Sequence, residues 1–107
     1  MRLALQYVEG CPHKLVAHAR LLQAVRAVGL SDQRVELERV TTQEEAEMLR
    51  FLGSPTVLID GHDPFAIAGH PYGLACRVYE TPEGLAGSPT KRQLVDALQH
   101  AVTHPTP

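Results

Sequence analysis

The chain has 107 residues, 44% of them apolar, and 10 Lys or Arg against 12 Asp or Glu give a net charge of −2. That length and apolar share fit one domain over 1–107 with a modest core and leave no room for a second. The cations are scattered, which excludes the electrostatic footprint of a nucleic-acid or anionic-membrane binder, and Glu9 interrupts the first apolar run before leader or membrane-spanning length.

A soluble, cytoplasmic protein is therefore expected. The run "LALQYV", Leu3 to Val8, is short and mostly apolar and ends at Glu9-Gly10, which predicts a central strand buried on both faces. From Pro12 to Val28, Leu15, Ala19, Leu22 and Val25 recur at helical spacing, and Gly29 stands ready to end an amphipathic helix. "RVELERV", Arg34 to Val40, alternates Val35 and Leu37 with Glu36 and Glu38, the pattern of an exposed edge strand.

Thr42 with Glu45 forms a capping-box pattern that opens a second helix through Ala46, Met48, Leu49 and Leu52, closed by Gly53. A turn at Ser54-Pro55 leads into a strand over Thr56 to Asp60. Residues 61–75 are rich in Gly, Pro and His without a period, which predicts a long loop with one helical turn near Pro64 to Ala68. "CRVY", Cys76 to Tyr79, reads as a last strand and "TPEGLAGSP" as a turn-rich connection. Ser88-Pro89 then caps a final helix with Leu94, Ala97, Leu98 and Ala101 toward the core, and residues 103–107 read as a frayed tail.

The order is β-α-β-α-β-β-α. The helix-separated strands call for right-handed crossovers and the last two for antiparallel pairing, an α/β sandwich around a four-stranded mixed sheet. Two cysteines are too few for a secreted disulfide scaffold. A lone cysteine is ordinarily buried as a small hydrophobe, so the context of each has to be weighed.

That element order, with "CPHK" at the start of the first helix and Ser54-Pro55-Thr56 before the third strand, resembles the thioredoxin fold in its compact glutaredoxin-like form. "GSPTVLIDGHDPF", "GLACRVY" and "TPEGLAGSPT" look more narrowly like small bacterial thioredoxin-like proteins, some of them annotated beside alkylmercury lyases. The resemblance implies a nucleophilic Cys11, a cis peptide bond at Ser54-Pro55 lying against it, and pairing of an extended substrate with the backbone of Ser54, Thr56 lining the same groove.

A thiol attacks only as the thiolate, which nearby positive potential favours. Cys11 at the N-cap, Pro12 at the first helical position, and the charges of Lys14 and protonated His13 supply such potential. The sequence departs from the dithiol motif at Lys14, where a resolving cysteine would stand. Exchange then runs by a monothiol route, the second thiol coming from a small thiol, a partner protein or Cys76. If the fourth strand starts at the far end of the third, Cys76 lies roughly 13 Å from Pro55, beyond the reach of about 7 Å for a disulfide. A buried, structural Cys76 is the expectation on that topology.

Glutathione recognition is not written in "GHDPFAIAGHPYG", which lacks the family's Gly-Gly pair and acidic residue. His62, Asp63 and His70 could join Cys76 at a metal, but without tight ligand spacing they read as solvated loop residues, and no metal or organic cofactor is expected. Lys91 and Arg92 read as solvent-facing, and Tyr7, Tyr72 and Tyr79 as packing residues. Three functions compete: a monothiol thiol-disulfide oxidoreductase acting on a disulfide- or thiol-bearing protein or small thiol, a binding or carrier module that holds a soft metal or organomercurial through Cys11, and a stress-related scaffold in which both cysteines are inert.

Overall fold

The computed structural model describes residues 1–104. Elements follow in the order β1 (Leu3–Tyr7), α1 (Lys14–Ala27), β2 (Val35–Arg39), α2 (Gln43–Leu49), β3 (Thr56–Ile59), β4 (Tyr79–Thr81), β5 (Gly84–Ala86) and α3 (Lys91–Thr103). β1 is central, parallel to β2 and antiparallel to β3. The strand predicted to be buried on both faces is so, since Leu3 through Gln6 are all buried, and β2 is an edge strand as expected.

The expected four-stranded sheet is not formed among the described residues. A three-stranded mixed sheet stands beside a separate two-stranded hairpin, β4–β5. "CRVY" begins that hairpin only at its last residue, and "TPEGLAGSP" contributes β5 rather than turns alone. The expected helical turn near Pro64 to Ala68 is a simple turn closed by Ala66 N–H donating to Asp63 O at 3.2 Å.

Register sets the main core. Leu5 lies opposite Val57 and Leu3 opposite Ile59, so all four side chains share one face. Against that face pack Ala17, Leu21, Ala24 and Val25 of α1 and Leu94 and Leu98 of α3. The predicted stripe on α1 is rotated: Leu15 is 75% exposed and Ala19 is exposed too, while Ala17, Leu21 and Ala24 face the core and only Val25 belongs to both stripes. α1 carries apolar residues around most of its circumference, so periodicity alone admits more than one inward face. α3 faces as predicted, with Ala97 and Ala101 half-buried beside Leu94 and Leu98.

A smaller cluster of Val40, Ala46 and Phe51, with Val8 and Leu74 packed on it, holds α2. Thr42 caps α2 by accepting from Glu45 N–H, as its sequence pattern predicts, but the helix ends at Arg50 in a left-handed conformation and not at Gly53. α3 is capped by Thr90 instead of Ser88, through a reciprocal box with Gln93. Of the predicted tail, Thr103 belongs to α3, and residues 105–107 lie outside the described residues.

Candidate functional site

β1 ends at a tight turn in which Cys11 N–H donates to Val8 O at 3.1 Å. Gly10, at the third position, adopts φ 81°, a conformation glycine takes without penalty. The next residues do not yet form helix. The N-cap of α1 is His13, and its first helical bond runs from Ala17 N–H to His13 O at 3.0 Å. Cys11 therefore stands two residues before the cap and Pro12 one, which corrects the expected assignment: a turn closed by Lys14 N–H on Cys11 O intervenes. No side chain caps α1 and no acid occupies its first turn, so its N–H groups still face the Cys11 segment unneutralised.

Cys11 is half-buried. The ring of His13 lies against Gly87, where any Cβ would collide with it, so the turn after β5 closes on this segment. The Lys14 ammonium sits over the Tyr7 ring, 3.8 Å from its centroid, so Tyr7 holds the charge at the end of the segment by a cation–π contact.

Pro55 follows a cis peptide bond to Ser54, and Ser54, Pro55 and Thr56 are all buried. Ser54 Oγ accepts Val8 N–H at 2.9 Å, which ties the segment to the residue that also anchors Cys11. Both remaining backbone groups of Ser54 are engaged within the chain. Ser54 N–H donates to Ala75 O at 3.0 Å, and Arg77 N–H donates to Ser54 O at 2.9 Å. Cys76 thus faces Ser54 in a parallel β-bridge, and an extended substrate finds the Ser54 N–H already bonded.

This pairing overturns two expectations about Cys76. It is exposed, not buried, and it stands at the Pro55 end of β3, not the far end. The topological cause lies between. After β3 the chain reverses at Asp60-Gly61, both at positive φ, closing Ile59 to His62, and 63–75 carry it back to Ser54 before β4 begins. Asp60-Gly61 after a strand is the sequence signal of this reversal.

Behind Pro55 lies a buried polar network that the sequence did not announce. Arg77, 5% exposed, donates to Asp63 Oδ2 at 2.6 Å, Phe65 O at 2.6 Å and Thr56 Oγ1 at 3.1 Å. Thr56 Oγ1 in turn donates to Gly53 O at 2.7 Å. The Arg77 guanidinium also lies over the Tyr79 ring, 4.6 Å from its centroid, and Tyr79 hydroxyl donates to Pro55 O. Burial is the main cause that raises the Tyr79 pKa; Arg77 opposes it, while Asp63 and Cys11 add to it.

Asp63 is thus committed to Arg77, and among the described residues no three His, Cys, Asp or Glu side chains gather as a metal-ligand set. Lys91 and Arg92 are exposed as expected, and Tyr72 is 41% exposed. Among the described residues no helix is long and apolar enough to cross a membrane. Compared with family models, with curated proteins and with solved structures, the chain matches none.

Proposed function

We propose that the protein is a thiol-disulfide oxidoreductase whose nucleophile is Cys11, on the thioredoxin-like pattern that "CPHK" and Ser54-Pro55-Thr56 resemble. The observation that carries the reading is the placement of a half-exposed Cys11 before the uncapped end of α1, linked by hydrogen bonds through Val8 to Ser54, the residue before the cis Pro55. Helix N–H groups at that end favour an anion, and Lys14 adds a cation to the same segment.

The chemistry is exchange. The Cys11 thiolate attacks one sulfur of a disulfide, forming a mixed disulfide and releasing the other half as a thiolate; a second thiol then attacks the mixed disulfide and restores Cys11. Lys14 occupies the place where a second motif cysteine would act, so the second thiol comes from elsewhere. No organic cofactor enters these steps. The partner is a disulfide- or thiol-bearing protein or small thiol.

The test is turnover of bis(2-hydroxyethyl) disulfide with glutathione, and separately with free cysteine, as thiol donor. Wild-type protein accelerates the reaction and Cys11→Ser leaves only the uncatalysed rate. Activity that survives Cys11→Ser would falsify the reading, and comparison of the two donors reports whether glutathione is preferred.

A further inference from the structure

We propose that Cys76 is the resolving thiol of the same site, an inference that rests on the thiol-exchange reading of Cys11. Ser54 is the hub. On one side its Oγ accepts Val8 N–H, and Val8 O accepts Cys11 N–H. On the other, Cys76 is its β-bridge partner, and paired strands lie about 4.8 Å apart. Val8 and Cys76 therefore flank Ser54 at one end of the sheet, about two strand spacings apart, and the turn that carries Cys11 starts from Val8 at that same end.

The rest of the segment holds the Cys76 backbone while leaving its thiol in solvent. Its neighbour Arg77 is buried and anchored to Asp63, Phe65 and Thr56. Gly53 allows the approach: a Cβ there would lie 2.8 Å from Ala75 O and 3.2 Å from Arg77 Cβ. Between these anchors Cys76 remains exposed. An accessible thiol on an anchored backbone is what a resolving cysteine uses, because the attacking sulfur must reach the mixed disulfide.

The reaction balances without a further reagent. A substrate disulfide is opened by the Cys11 thiolate, giving a mixed disulfide and a first released thiolate. The Cys76 thiol loses its proton to solvent, and its thiolate attacks the Cys11 sulfur, forming the Cys11–Cys76 disulfide and releasing the second half of the substrate as a thiolate. The substrate has gained two electrons and the protein pair has lost them. An external thiol reductant returns the pair to the dithiol state by the same exchange in reverse. The chain thus performs dithiol chemistry with its second cysteine brought in by the 61–77 return instead of the motif.

Reduced protein is mixed with less than one equivalent of glutathione disulfide, quenched by acid at intervals, and analysed by intact mass and non-reducing peptide mapping. Wild type is expected to show a transient glutathione adduct at Cys11 that converts to a linked Cys11–Cys76 peptide at a rate independent of protein concentration. Cys76→Ser and Cys76→Ala should both accumulate the Cys11 adduct and hold it. If the wild-type adduct persists as long as in these variants, or the product links two chains, Cys76 is not the resolving thiol and the Cys11 reading stands. If no adduct forms at Cys11 in any of the three proteins, both readings fail together.

Discussion

Ser54 and Cys76 face each other in a parallel β-bridge built on two hydrogen bonds, Ser54 N–H to Ala75 O and Arg77 N–H to Ser54 O, at 3.0 and 2.9 Å. The relationship depends on Gly53. Its φ of +122° disfavours any L side chain, and a Cβ would be driven into Ala75 O. Gly53→Ala should therefore destabilise the protein by about 1–3 kcal/mol and loosen the bridge, measured as a lower urea midpoint. Alkylation of Cys76 should become faster relative to Cys11. An unchanged midpoint together with an unchanged ratio of alkylation rates would mean that the close approach is not needed.

The ion pair between Arg77 and Asp63 is nearly dry, with side chains 4% and 12% exposed. Breaking such a pair from one side leaves a buried charge without its counterion, which costs about 3–5 kcal/mol, whereas replacing both members with apolar groups costs far less. Asp63→Leu and Arg77→Met should each unfold at much lower urea, and the double variant should recover a substantial part of the loss. Additive losses in the cycle would show that the two groups do not act as a pair.

Much of this arrangement could be read in advance, and the unread part has a common cause. The order of the seven predicted elements, into which β5 is inserted before α3, the central β1, the edge β2 and the inward face of α3 follow from local periodicity and punctuation. The cis bond at Ser54-Pro55 is the one that the resemblance of Ser54-Pro55-Thr56 implies. What local pattern does not carry is pairing across distance. Nothing within "CRVY" indicates that Cys76 pairs with Ser54 in parallel, or that Arg77 points inward to Asp63; an arginine between a cysteine and a valine reads as surface. The Asp60-Gly61 turn was the available clue, since a tight reversal after β3 sends the chain back toward Pro55. Cys11 lies two residues before the N-cap of α1 and not at it, because Pro12 suits a first helical position and a turn equally well.

Tyr7 and Lys14 make a contact that redefines the residue standing in the place of a second motif cysteine. A lysine over an aromatic face is worth about 0.5–1 kcal/mol at a partly exposed site. Tyr7→Leu and Lys14→Met should each lower stability by about this much beyond the effect of lost surface, with a coupling of the same size in a double-mutant cycle read by urea denaturation. A coupling indistinguishable from zero would return Lys14 to the status of a solvated cation.

Alkaline pH should weaken the fold through Tyr79. Its hydroxyl donates to Pro55 O from a buried position, so the folded state holds the phenol neutral and its pKa lies above the ordinary value. A raised acid pKa means that the folded protein binds the proton more tightly than the unfolded chain. The resulting stabilisation is fully present below pH about 10, where unfolded tyrosine is also neutral, and is lost as pH rises above that value. Tyr79→Phe removes the titrating group, and it also strips Pro55 O of its donor, at a cost of about 1–3 kcal/mol at neutral pH. Urea midpoints measured for both proteins from pH 7 to 11 should therefore differ most at neutral pH and converge above pH 10 as the wild type declines. Parallel profiles across the range would show that Tyr79 is not held protonated by its burial against Pro55.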